Sequence, residues 1–120
     1  MKKNLIFVLL WLLGSASVVG AHPPRGMELR YDAHGKTLHI TMEHVSKKLR
    51  DHFIREIIVT KNNESPVVYR HTRQNDPSFM ETSVPLEAQS GDMIHVKAVC
   101  REGGSEEASL KIADEEQPQP

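Results

Sequence analysis

Thr37-Leu38-His39-Ile40-Thr41-Met42-Glu43-His44 alternates polar and apolar side chains without a break. A period of two is what a half-buried antiparallel strand requires, because successive side chains point to opposite faces. A helix would instead repeat its apolar positions at intervals of three and four. Leu38, Ile40 and Met42 therefore share one dry face, and His44 continues that parity at the strand's end. Upstream, Asp32-Ala33-His34-Gly35-Lys36 reads as a turn with glycine placed for a positive φ. Met27, Leu29 and Tyr31 then alternate in the strand before it.

The same reading extends toward the C-terminus. After a charged loop from Val45 to Asp51, with one helical turn expected over Lys47 to Asp51, a third strand runs from His52 to Thr60. Its Ile57-Ile58-Val59 centre predicts burial on both faces. Lys61-Asn62-Asn63-Glu64-Ser65 turns the chain into a fourth strand, Pro66 to Thr72, and a polar connection from Arg73 to Ser78 leads to a fifth, Phe79 to Leu86. Pro85 places that fifth strand near an edge. Ile94, Val96, Ala98 and Cys100 form one face of a sixth strand, and Gly103-Gly104 turns it into a seventh carrying Ala108, Leu110 and Ile112. Seven short strands at near-even spacing predict an all-β, immunoglobulin-like antiparallel sandwich.

With 120 residues, the chain has room for one small domain. Residues 1–21 read as an export signal: Lys2 and Lys3, an apolar run from Leu5 to Leu13, then small residues ending in Val19-Gly20-Ala21. The sandwich is expected over 22–113, followed by a disordered acidic, proline-containing tail over 114–120. That organisation makes the protein exported, periplasmic or secreted. The apolar run is well short of the ~20 residues that span a bilayer, so no stable membrane span is expected once the signal is removed. The mature chain carries 13 basic against 16 acidic residues, a balance that does not attract nucleic acid. One cysteine cannot form an internal disulfide, which leaves Cys100 as a buried thiol, a metal ligand or an intermolecular partner.

Successive antiparallel strands alternate between two rims, so position along the chain assigns each histidine to one of them. His22, His44, His52, His71 and Cys100 fall at one rim, whereas His34, His39 and His95 do not. Parity points both His44 and Cys100 inward there. Imidazole and thiolate converging at a dry rim suit iron, copper or zinc. Lys47 and Lys48 could steer an anion toward that rim. No Gly-x-Ser-x-Gly frame marks a hydrolase, and no pairing of acids marks a glycosidase.

His44 followed after seven residues by His52-Phe53-Ile54 and Ile57, then Val84-Pro85-Leu86, Gly91-Asp92 and Val96-Lys97-Ala98-Val99-Cys100, resembles the iron-binding domain of desulfoferrodoxin and superoxide reductase. The resemblance implies an immunoglobulin-like sandwich and a mononuclear iron held by four histidines and one cysteine thiolate. It also implies one-electron reduction of superoxide at the ferrous ion's open position, opposite the thiolate, with an unidentified electron donor. Carried over by position, His44 and His52 match the paired histidines, Cys100 the thiolate, and His22-Pro23-Pro24 the early His-x-Pro. Two positions depart from the pattern: Gly103 stands where a histidine follows the cysteine, and Ala21 where a lysine precedes the early histidine. His71, Glu102 or a water is the alternative occupant of the missing place. Cleavage after Ala21 would also give His22 an α-amine beside its imidazole, a pair that favours copper. A non-catalytic metal-binding or carrier module on the same fold is the alternative to an oxidoreductase.

Overall fold

The computed structural model describes residues 24–114, which form seven strands and no helix. They are β1 (Arg25–Asp32), β2 (Thr37–Glu43), β3 (Ile54–Lys61), β4 (Val67–Arg70), β5 (Phe79–Pro85), β6 (Met93–Cys100) and β7 (Ser105–Lys111). The export signal, His22 and the tail from residue 115 lie outside the described residues. Among the described residues no helix is long and apolar enough to cross a membrane.

Two antiparallel sheets pack face to face, one in the order β1-β2-β5 and the other β4-β3-β6-β7. Chain neighbours β2 and β3 therefore sit in different sheets, as do β4 and β5, the crossing pattern of immunoglobulin-like sandwiches. Inward side chains follow the alternation read from the sequence: Leu38, Ile40 and Met42 from β2 meet Ile57 and Val59 from β3 and Ile94, Val96 and Ala98 from β6. Ile54, Met80, Val84, Cys100 and Ile112 complete the buried cluster. Pro85 does sit on an edge strand, since β5 pairs only with β2.

Three local readings change. Burial of β3 on both faces does not hold: Ile57 and Val59 are buried, but Ile58 is half-buried on the outer face, between Val68 of β4 and Lys97 of β6. No third layer covers it among the described residues. At the first turn, positive φ falls on Lys36 (49°) rather than on Gly35. Gly35 is needed for space instead, because a Cβ there would stand 2.8 Å from the Asp32 carboxylate. That carboxylate accepts the backbone N–H groups of His34 and Gly35, which hold its pKa below the ordinary value, Gly35 most strongly. β4 is shorter than expected. Pro66 has no N–H to give to the ladder, and beyond Arg70 one further in-register bond, from His71 N–H to Arg55 O, ends the pairing at the Arg55 bulge.

β3 shifts register against β6 between Ile54 and Glu56. The shift bulges Arg55 out of the β3–β6 ladder and leaves Ile54 opposite Cys100. Bulges of this kind re-aim side chains at sheet ends. The residues just before Ile54 are thereby delivered to the end of β6.

Candidate metal centre

Three buried donors converge at one rim. His44 leaves β2 and His52 closes the loop before β3, while Cys100 ends β6. Their ligand atoms all lie within 4.8 Å of one another, and the residues are 1%, 9% and 1% exposed. His44 Nε2 lies 3.2 Å from Cys100 Sγ, and the two imidazoles meet edge to face with centroids 4.6 Å apart. Nitrogen and sulfur ligands on one ion, at ~2.0 to 2.3 Å from it, sit roughly 3 to 4 Å from each other. The donor set therefore fits a single soft or borderline cation after small ring rotations.

Backbone hydrogen bonds hold each donor. The His44 and Ser46 N–H groups donate to Ser78 O (3.0 Å) and Pro77 O (2.8 Å), tying the end of β2 to the β4–β5 connection. His52 N–H donates to Lys48 O at 2.8 Å, closing one hydrogen-bonded turn where the sequence suggested one, and Ser46 Oγ donates to His52 O. Arg101 clamps the same loop from β6: its N–H meets Phe53 O at 2.9 Å, and its guanidinium lies over the Phe53 ring and donates to Asp51 O. Such bonds on strand ends limit how far the donors can drift.

Gln74 is the buried partner of the donor set that the sequence reading missed. It lies in the polar connection between β4 and β5, yet is only 3% exposed. Its Oε1 meets His44 Nδ1 at 2.7 Å, and its Nε2 donates to His44 O and Asp76 O, each at 2.7 Å. Nothing in Arg73-Gln74-Asn75-Asp76 marks a buried residue, since neither apolar alternation nor motif spacing surrounds it.

Of the other residues singled out, His71 is not among the converging donors; it lines a separate cavity of about 300 Å³ with Arg73, Gln74, Asp76, Phe79 and Glu81. Glu102 approaches His52 Nδ1 only to 4.0 Å. Gly103 has φ of 107° in the β6–β7 turn, where its N–H donates to Cys100 O at 3.1 Å. A histidine at that position would be strained, so the turn supplies geometry in place of a ligand. His34 is exposed, His39 pairs with Ser83, and His95 pairs with Ser109 and Glu107, all away from the rim.

Cys100, His44 and Gln74 form a thiol–imidazole–amide chain that superficially resembles the triad of a cysteine nucleophile. Burial argues against that use, because it pushes the Cys100 thiol above its ordinary pKa. The Glu102 N–H opposes this shift, and the Glu102 carboxylate adds to it. A cation replacing the thiol proton resolves the problem, since its charge stabilises the thiolate directly. Beside the donors, a cavity of about 310 Å³ is lined by Val45, Lys47, Lys48, His52 and Glu102. Its lining carries two cationic side chains, Lys47 and Lys48, and one anionic, Glu102.

Burial of the His71 ring lowers its pKa, and its Nδ1 has no hydrogen-bond partner among the described residues. The folded protein therefore favours neutral His71. The resulting stability is complete above the unfolded pKa of about 6.5 and is lost as pH falls through the lower folded value. Urea midpoints at pH 7.5 and pH 5 should accordingly differ less for His71→Gln than for the wild type. Equal losses on acidification would contradict this assignment.

No protein-family model matches the chain, and no curated protein matches it significantly. Fold and site together define a seven-stranded β-sandwich with a candidate His/His/Cys metal centre.

Proposed function

We propose that the protein is an exported mononuclear iron protein that reduces superoxide, with His44, His52 and Cys100 as ligands. The observation that carries the metal part is the buried convergence of two imidazoles and a thiol at one rim. Iron and superoxide come from the resemblance of the His44 to Ile112 segment to desulfoferrodoxin. When bound, ferrous iron would supply one electron to superoxide, which takes up two protons and leaves as hydrogen peroxide, with a separate one-electron donor restoring the ferrous ion. Cys100 would contribute thiolate charge, and the cavity with Lys47 and Lys48 would admit the anion beside His52.

His22 is proposed as a further ligand. Arg25 pairs with Glu43, the residue before His44, so the chain enters the described domain at this rim. Three residues of extended chain span up to about 10 Å.

A second reading, a metal carrier without turnover, is favoured by Gly103, which closes a turn at the position where the resemblance expects a histidine. Titrating the metal-free protein with ferrous iron separates the outcomes. One equivalent bound, with a thiolate-to-iron band after oxidation, supports the iron centre. Superoxide consumption well beyond one equivalent in the presence of a reductant supports catalysis, and consumption that stops at one equivalent supports the carrier. A folded protein that takes up no iron would overturn the first reading, and one that also takes up no zinc or cobalt would overturn both.

A further inference from the structure

The contacts of Gln74 determine something about His44 that the donor set alone does not. The side-chain amide has one acceptor and one donor end, and both are committed. Two carbonyl oxygens, His44 O and Asp76 O, each lie 2.7 Å from the same end, so that end must be the NH2 group. The reverse orientation would set an amide oxygen against two carbonyl oxygens in a site 3% exposed, where water cannot relieve the clash. Oε1 therefore faces His44 Nδ1 at 2.7 Å and can only accept. The hydrogen must sit on Nδ1, so a neutral ring turns its Nε2 lone pair toward Cys100 Sγ, 3.2 Å away.

We propose that Gln74 is a positioning residue that fixes His44 in its Nδ1–H tautomer and so presents Nε2 to the ion. What Nε2 does rests on the metal reading above, whereas the tautomer does not. Gln74 holds both the ring and the carbonyl of His44, so neither the side chain nor the backbone can turn away independently. Its own N–H donates to Leu49 O at 2.9 Å, inside the loop that delivers His52, so one residue joins the segments carrying the two imidazole donors. Asp76 stiffens the connection by accepting the N–H groups of Ser78 and Phe79. A partner that fixes the tautomer and orientation of a ligating histidine also makes it a better donor.

The test uses the full chain, Gln74→Leu and Gln74→Glu. Long-range proton–nitrogen NMR correlations of the metal-free proteins read the His44 tautomer directly. The wild type should carry hydrogen on Nδ1. Gln74→Glu should keep it there in its protonated form, whose carbonyl oxygen accepts from Nδ1 while its O–H replaces one amide N–H toward the His44 and Asp76 carbonyls, and Gln74→Leu should shift the population toward Nε2–H. Cobalt(II) affinity, measured by competition, should fall about 10- to 100-fold in Gln74→Leu and much less in Gln74→Glu. A role confined to bracing the loop through the amide donors would weaken both variants alike and would overturn the proposal. Hydrogen on Nε2 in the wild type would overturn it too. Should Gln74→Leu fail to fold, the wild-type tautomer together with the behaviour of Gln74→Glu still decides. A wild type with hydrogen on Nδ1 that binds no cobalt would overturn the metal reading while upholding the tautomer.

Discussion

Cys100→Ser is expected to leave a folded protein whose affinity for zinc or cobalt is lower by roughly a hundredfold to a thousandfold. The size follows from the ~10 to 16 kcal/mol that structural zinc binding supplies over about four ligands, or roughly 2.5 to 4 kcal/mol for each. Sulfur is the donor here that most favours zinc, ferrous iron and cobalt over hard cations, so its removal also changes which ions bind. The fold should survive. Serine is close in size to cysteine, and its hydroxyl can donate to or accept from His44 Nε2 at the thiol's place. Competition with a chromogenic chelator gives the affinity, and loss of the thiolate-to-cobalt absorption identifies the missing ligand. His95→Ala is the control, because His95 contacts Ser109 and Glu107 on the far side of β6. A Cys100→Ser protein that binds cobalt as tightly as the wild type would remove sulfur from the site.

The meeting of these donors was partly legible in the chain itself. His44 and Cys100 extend the inward parities of Leu38-x-Ile40-x-Met42 and Ile94-x-Val96-x-Ala98, and antiparallel order places both strand ends at one rim. Alternation is a strong signal wherever one face is dry, which is why all seven strands were readable and most differ from expectation only at their ends. Face assignment failed at Ile58, because a run of three apolar residues looks the same whether one or two of its sides are covered. Parity could not place His52 either. It lies before β3, and its direction depends on the turn closed by Lys48 O and on the Arg55 bulge, neither of which has a periodic signature. His71 shows the limit of assigning residues by rim alone: it sits just beyond β4, but faces a different cavity from the donors. Gln74 was invisible for a further reason. Its burial is matched by side-chain hydrogen bonds to His44, Asp76 and Phe79 in an irregular loop, and polar composition reads such a segment as solvated.

Ile57→Ala should be among the most damaging single truncations of the apolar core, and bound metal should repair much of the loss. Ile57 is fully buried on β3, the strand between β4 and β6, with Tyr69 and Ala98 as its cross-strand neighbours. Ala98 is too small to fill the space left behind, so the substitution costs the lost transfer energy plus a cavity, about 3 to 4 kcal/mol. For a domain of this size that corresponds to a midpoint lower by roughly 12 to 30 °C. It is also a large part of the ~5 to 13 kcal/mol that such a domain can have, and Cys100, the only cysteine, provides no internal disulfide to compensate. Ile57 lies beyond the Arg55 bulge from His52, so the donors of the folded variant should keep their affinity within a fewfold. A cation that binds only the folded state, present at a thousand times its dissociation constant, then restores about 4 kcal/mol. Thermal unfolding of Ile57→Ala with and without zinc should show that recovery, and the Ile57→Ala, Cys100→Ser double variant should show little of it. If zinc raises the midpoints of both equally, the ion is bound elsewhere and the three donors at the rim do not hold it.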